Sequence, residues 1–377
     1  MARFSGILSH MKIGFDARMF GPATGGGGLG RYVEQIASRL HAADQEGSYA
    51  FFLKPEHADA LPGARRFVTD IHWYGWKEQV LLPRLLDQGE FDLLHFPHWN
   101  VPLFLKTPFV VTVHDLILLD EPASSKASTR HPIMFWLKYA AFRLVLSHAV
   151  RASRHIIAVS EHTKQAILRR FPEVPASKIT VILEGLSPLP AADGPALAPR
   201  PYLLSVGNAY PHKNLDGLLR AFRLAAQALP GTHLVLAGRT DAFRRRLQAS
   251  PEALALGERL VWVDDPTDAQ LSTLYRDATG YVFPSRLEGF GLPPLEAMAA
   301  GVPVASSNAG SLPEVLGNAA VFFDPNDERA MATAMEALVN DQSLRTTLIA
   351  RGQENLRRFS WDRAAAQTAE VYRNTLR

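Results

Sequence analysis

The amino-acid sequence predicts an α/β protein built from two doubly wound, Rossmann-like parallel-sheet domains. Three observations carry this prediction. Short apolar and β-branched runs alternate with helical stretches from Lys12 onward, the pattern of a parallel sheet with crossover helices. A Pro-, Ala- and Gly-rich segment at 185–201, GLSPLPAADGPALAPRP, interrupts the alternation as a linker would, and the same grammar restarts at Tyr202. With 377 residues, 47% of them hydrophobic, the chain has material for two ordinary cores.

Composition removes several function classes. Charged residues make up 20%, too few beside so much apolar material for a wholly disordered chain. There is no cysteine, so disulfides, thiolate zinc sites and Cys nucleophiles are out, and a reducing cytoplasm fits. The formal net charge of +3, with a pI near 9.1, is too mild to argue for nucleic acid. It does suit weak attraction to an anionic membrane surface, and a peripheral contact with the inner membrane is one expectation. No apolar run is expected to reach the roughly 18 residues of a membrane span. The first ten residues, MARFSGILSH, are too short and too weakly apolar for a signal peptide, and Met11 is an alternative start because MKIGFDAR opens a clean strand.

In order, the first strand at 12–16 runs into GPATGGGGLGRYVEQIASRL, whose glycines 25–28 and Gly30 precede a helix with apolar Leu29, Val33, Ile36, Ala37 and Leu40. A glycine loop feeding a helix is an anion cradle, with Arg31 as an anion partner, or simply a flexible turn. Strands are expected at 49–53, 66–72, 91–96 and 109–114, with a helix near 76–86. Two polar clusters close strands where open parallel sheets bind ligands: His95, His98, Trp99 and Asn100, then His114 and Asp115. Their spacings do not suit zinc, so a sugar-binding wall is preferred, although a structural hydrogen bond accounts for His98 equally well. A polar, mobile connection at 121–131 leads to one long helix at 132–155, apolar at Ile133, Trp136, Leu137, Ala140, Leu144 and Val145, with Lys138, Arg143, Arg151 and Arg154 among them. It either packs one face on a sheet, the commoner case, or lies on a membrane. Strands at 154–160 and 178–183 complete this half, with Ser160 as an N-cap.

The second half opens with a strand at 202–206 and places Lys213 and Asn214 where that strand hands over to a helix. A Lys there binds a diphosphate as a point charge or is a solvated helix-start residue. Strands at 232–237 and 260–263 follow. Asp264 and Asp265 invite a metal reading, but Asp268 reads as a helix start and no metal is expected. The centre is YVFPSRLEGFGLPPLEAMAAGVPVAS at 281–306: strand, loop, helix, strand, with Pro293 and Pro294 starting the helix and Gly301 stopping it. Glu288 falls in the loop, Glu296 in the first helical turn, and the intervening glycines bring backbone N–H groups near a ligand. Vicinal hydroxyls and phosphate together, as in a nucleotide sugar, suit such a set, although either carboxylate alone has a bland explanation. Ser311 is an N-cap candidate facing phosphate, and helices are expected at 328–340, 344–359 and 361–376.

The phrase EGFGLPPLEAMAAGVPV resembles the E-x7-E signature of retaining GT-B glycosyltransferases of the group 1 or family 4 type, and IIAVSEHTKQAI extends the resemblance to the first half. The resemblance implies a GT-B fold facing a central cleft: 1–186 binding the acceptor, 187–200 a linker, 201–360 binding the nucleotide sugar, and 361–377 a helix crossing back. It implies Glu288 on the donor sugar hydroxyls, Glu296 on the ribose, the backbone of Phe290, Gly291 and Leu292 on sugar and diphosphate, Lys213 on the departing diphosphate, and His114 near the anomeric carbon. The nucleobase would sit at Val263, and the glycine loop, with Gly27 and Gly28, over the phosphates and acceptor. With Arg31, His98, Trp99 and Asp115 the acceptor side is complete. Asn208 departs from the pattern, since many relatives carry a second phosphate cation, Arg, at that place. No metal or other cofactor is implied. VGNAYPHKNL and GSLPEVLGNAAVFFDP look most like bacterial mannosyl- and related transferases of surface polysaccharide or lipopolysaccharide synthesis, so GDP-mannose is the first donor, with UDP-hexose or dTDP-rhamnose open. The acceptor is a saccharide or lipid-linked saccharide. A nucleotide-sugar 2-epimerase, a GT-B phosphorylase and a non-enzymatic sugar-binding protein are the rivals.

Overall fold

The computed structural model describes residues 11–44, 47–122, 132–192 and 194–377. One sheet is made of β1 (Lys12–Asp16), β2 (Ser48–Leu53), β3 (Arg65–Val68), β4 (Leu93–Phe96), β5 (Phe109–Val113), β6 (His155–Ala158) and β7 (Ile179–Val181), in the order β3-β2-β1-β4-β5-β6-β7. The other holds β8 (Tyr202–Val206), β9 (His233–Gly238), β10 (Leu260–Asp264), β11 (Gly280–Phe283), β12 (Val304–Ser307) and β13 (Ala320–Phe323), in the order β10-β9-β8-β11-β12-β13. All pairings are parallel. Strand order reverses between β1 and β4 and between β8 and β11, and a crevice opens there at the carboxyl ends. This is the two-sheet α/β architecture that the alternation predicts.

The strands are short apolar runs because helices cover both faces, so YLLSV in β8 buries almost every side chain. The helix Leu215–Ala225 buries Leu218, Leu219 and Phe222 against this sheet, each contributing about 2 kcal/mol from burial. The helix Trp361–Leu376 belongs to the other core: Trp361, Ala365, Ala369 and Tyr372 pack with Phe15, Tyr32 and Val33. The Tyr372 hydroxyl lies 2.5 Å from His95 Nδ1, which anchors the helix end to the buried face of β4.

Several elements differ from expectation. The glycine loop is mostly helical: Pro22–Gly25 forms one turn and Gly28 opens the helix Gly28–Ala43, leaving Gly26 and Gly27 as the left-handed link, at φ 79° and 74°. The two helical pieces touch through backbone, and a Cβ on Gly30 would lie 2.1 Å from the Gly21 carbonyl oxygen. Glu296 is in the second turn of the helix Leu292–Ala299, so a helix-dipole role does not explain it. Ser311 takes the N-cap position of the helix Leu312–Leu316 as expected, but its side chain makes no capping bond; its hydroxyl donates to the carbonyls of Glu288 and Phe290 at 3.2 and 3.1 Å. Of the polar connection at 121–131, residues 123–131 lie outside the described ones.

The long helix Pro132–Ala152 departs most. It buries Phe135, Leu146, Ala149 and Val150, while the stripe read from the sequence, Ile133, Trp136, Leu137 and Leu144, is 60–66% exposed. Apolar on both faces, its span Ile133–Ala152 is long and apolar enough to cross a membrane by length and composition, contrary to expectation.

Candidate active site

The candidate site lies where the two crevices meet. Asn214, at φ 56°, is fully buried and donates through Nδ2 to the carbonyls of Pro284 and Pro325, which fixes the turn carrying Lys213. Lys213 Nζ then lies 2.6 Å from Glu288 Oε1. Glu288 is held in turn by its own backbone, whose carbonyl accepts from Ser311 N at 3.2 Å. The next residue touches the other domain. A Cβ on Gly289 would stand 2.1 Å from the His114 carbonyl oxygen, and Ser160 Oγ donates to the Gly289 carbonyl at 2.8 Å. Ser160 also caps the helix Glu161–Arg170 through Thr163 N, and the remaining N–H groups of Glu161 and His162 bond Glu314 of the second domain at 2.8 and 3.0 Å. This helix end serves the domain interface in addition to its own cap.

His114 donates from Nδ1 to Glu184 Oε1 and from Nε2 to the Pro97 carbonyl, both at 3.0 Å. Both partners are acceptors, so the ring is an imidazolium. Burial opposes that charge, but the bond and charge of Glu184, with the Pro97 carbonyl, outweigh it, and the pKa is raised. Burial, reinforced by Glu288, raises the Asp115 pKa, while the Ile117 N–H and the charges of His114 and Lys213 pull the other way. Asp115 is therefore within electrostatic reach of the Lys213–Glu288 pair and of Tyr74.

Glu296 meets the first domain. Its Oε1 accepts from Arg31 Nη1 at 2.6 Å and its Oε2 from the Tyr275 hydroxyl at 3.1 Å. Arg31, expected beside an anion of the ligand, is held by this carboxylate and more loosely by Asp268 at 3.9 Å. The Leu292 side chain passes within van der Waals reach of Gly28, so glycine loop and donor loop adjoin. Asn208 Oδ1 is buried and has no hydrogen-bond partner among the described residues. Val263 is the penultimate residue of β10, its carbonyl accepting from Arg244 Nη2 at 3.1 Å, and Asp264 pairs with the same Arg. Among the described residues no group of three or more His, Asp or Glu is placed to hold a metal ion.

Family models match both halves of the chain. Residues 26–188 match Glycosyltransferase Family 4 and residues 193–355 match Glycosyl transferases group 1. The O-antigen chain mannosyltransferase B of Escherichia coli is 31% identical over 92% of this chain and 96% of its own. The chain belongs to the group 1 and family 4 glycosyltransferases. A GDP-mannose:cellobiosyl-diphosphopolyprenol alpha-mannosyltransferase of Komagataeibacter xylinus is 27% identical over 86% of this chain and 81% of its own. Sucrose-phosphate synthase from Thermosynechococcus elongatus superposes with a TM-score of 0.75 at 24% identity, over 97% of this chain and 99% of that one, which identifies the fold as GT-B.

The glycosyltransferase thus gathers His114, Asp115, Lys213, Glu288, Phe290, Gly291 and Leu292 at one junction, with Gly27, Gly28, Arg31 and Glu296 beside it. His98 and Trp99 form a separate wall: their rings are 4.7 Å apart, Trp99 stacks on Tyr74 at 5.2 Å, and His98 lies 6.4 Å from His114. Sequence reasoning missed Glu184, the buried partner of His114, and Tyr74. Glu184 lies three residues beyond β7, where a polar residue after the apolar run 179–183 is the available signal.

Proposed function

We propose that this glycosyltransferase moves mannose from GDP-mannose, with retention of configuration and without a metal, to a saccharide or lipid-linked saccharide acceptor of bacterial surface polysaccharide. The observation that carries the site is the Lys213–Glu288 pair facing His114 and Asp115 across the closed interface. In this reading the diphosphate displaces the Glu288 contact at Lys213, and Glu288 turns to the donor hydroxyls. Glu296 holds the ribose. Lys213 and the backbone N–H groups at Gly291 and Leu292 stabilise charge growing on the leaving oxygen. His114, as a cation close by, adds to that field. No carboxylate is set aside as a nucleophile, which favours same-face attack with the departing diphosphate taking the acceptor proton.

The mannose assignment is supported by the names of the two relatives. The exposed stripe Ile133, Trp136, Leu137 and Leu144, with Lys138 and Arg143 on the same helix, supports a peripheral contact with an anionic membrane. The test is turnover of GDP-mannose, UDP-glucose and dTDP-rhamnose in EDTA, with the product anomer read by NMR. Selective use of GDP-mannose and an α-linked product support the proposal. Turnover of another donor reassigns the sugar, an isomerised donor without acceptor indicates the epimerase, and phosphate dependence without nucleotide indicates the phosphorylase.

A further inference from the structure

A buried polar cluster lies beneath the wall of the first domain and outside the donor machinery. Arg18, 1% exposed, donates from Nε and Nη2 to the two oxygens of Asp16 at 2.8 and 2.7 Å, and from Nη2 to Glu78 Oε1 at 2.7 Å. Asp16 and Glu78 are buried as well. Glu78 accepts twice more, from the Tyr74 backbone N–H at 2.9 Å and from Asn100 Nδ2 at 2.8 Å. Burial raises the Glu78 pKa, opposed by the charge and hydrogen bond of Arg18 and the Asn100 amide, and three donors on one carboxyl group, one of them a guanidinium, describe a carboxylate. Two carboxylates around one Arg are an expensive arrangement to bury, and well-packed apolar residues would serve stability as well.

The cluster has a directional consequence. Only the amide nitrogen of Asn100 can donate to the Glu78 carboxylate, so its orientation is settled and Oδ1 faces the other way. That oxygen lies 3.0 Å from His98 Nδ1. A carbonyl oxygen only accepts, so Nδ1 must carry the proton. The Tyr74 hydroxyl, 3.4 Å from the same nitrogen, is the weaker partner. His98 Nε2 has no hydrogen-bond partner among the described residues, and it is not one of the orphaned buried atoms. Burial and the charge of His114 push the His98 pKa down to about 3, so the ring stays neutral at working pH. The same carboxylate also holds Tyr74 at φ 62°, a strained conformation for an aromatic residue, and its half-exposed ring lies flat on Trp99.

We infer that Asp16, Arg18, Glu78 and Asn100 form a relay that locks His98 as the Nδ1–H tautomer, so that its Nε2 accepts a hydrogen bond from a hydroxyl of the acceptor sugar seated against Tyr74 and Trp99. His98 is then the group that touches the acceptor, and Glu78 and Asn100 are positioning residues that act through it. The specificity is for a hydroxyl donor. A group that can only accept, such as an ether oxygen or a carboxylate, would meet a lone pair. This inference rests on the glycosyl-transfer reading for the identity of its ligand, but the tautomer does not.

The test is a long-range proton–nitrogen correlation of the histidine rings in the full chain, with His98 assigned by its loss in His98→Asn. The expected spectrum shows Nδ1 protonated and Nε2 bare, the less favoured form of a free histidine side chain. Protonated Nε2, or an imidazolium at neutral pH, overturns the relay. Titration with methyl α-mannopyranoside as the acceptor probe is expected to move the Nε2 resonance, and an unmoved resonance overturns the contact. Asn100→Leu is expected to return His98 to the common tautomer and to weaken the sugar about tenfold, one hydrogen bond's worth, with GDP affinity unchanged. A switched tautomer with unchanged sugar affinity also overturns the contact. Absence of GDP-mannose turnover in a separate assay would count against the transfer reading and leave the tautomer result standing.

Discussion

The two sides of the cleft are built in opposite ways. On the second domain the two carboxylates come from one contiguous strand–loop–helix unit, with Glu288 and Glu296 separated by a single glycine-rich loop, and Lys213 arrives from elsewhere. On the first domain the wall around His98 is assembled from β1, the turn before the helix Trp76–Asp87, the end of β4 and the end of β5. Its positions are held by a buried ionic cluster instead of by a local turn. A local unit gives groups that can be reached by single substitutions with small structural cost. A dispersed wall couples every residue to the core.

This contrast is sharpest at Lys213. Lys213→Ala should lower kcat about 100- to 1000-fold, the usual cost of removing a preorganised charge from a leaving oxygen, while the thermal midpoint barely moves. Steady-state kinetics beside thermal unfolding would check both halves. Gly289→Ala is next. Its Cβ would meet the His114 carbonyl at 2.1 Å, so the domains should be forced apart, with activity down about 100-fold and an expanded radius of gyration in X-ray scattering at unchanged helix content. A compact, active variant would break the account of the interface.

Glu184→Gln should act less strongly, by about tenfold, through His114. The folded pKa of His114 is raised, so its contribution to stability is fully present below the ordinary histidine value near 6.5 and is lost as pH rises through the raised value. Without the Glu184 charge burial prevails and the folded pKa falls. The alkaline loss of stability should therefore shrink, and any fall of activity with rising pH should begin at lower pH. Unfolding midpoints and rates measured across pH would show the shift. Smallest in chemistry is Trp136→Glu with Leu137→Glu on the exposed face of the long helix. Cosedimentation with anionic vesicles should fall while turnover of a soluble acceptor stays within twofold or so.

The same contrast explains what the sequence disclosed. The phrase from Glu288 to Glu296 is legible because spacing along one loop and helix is spacing in space. The Arg31–Glu296 pair joins residues 265 apart, and Glu184 with His114 joins residues 70 apart, so no local pattern announces either. Arg18 and Glu78 are 60 residues apart, and only the fold buries them together. The long helix failed for another reason. One apolar stripe implies a buried face, but with two stripes, Phe135–Leu146 side and Trp136–Leu137 side, periodicity cannot say which meets the sheet. The edge strand Ala320–Phe323 was too short to stand out from the turn before it.

The central claim is that Glu288 and Glu296 divide one donor between sugar and ribose. Calorimetric titration of GDP into the wild type, Glu288→Ala and Glu296→Ala, all in EDTA, tests it most directly. The account predicts that Glu288→Ala binds GDP about as well as the wild type, and that Glu296→Ala binds it about 100-fold more weakly, the loss of two charge-assisted hydrogen bonds. Equal affinity in all three proteins, or loss in Glu288→Ala alone, would contradict it.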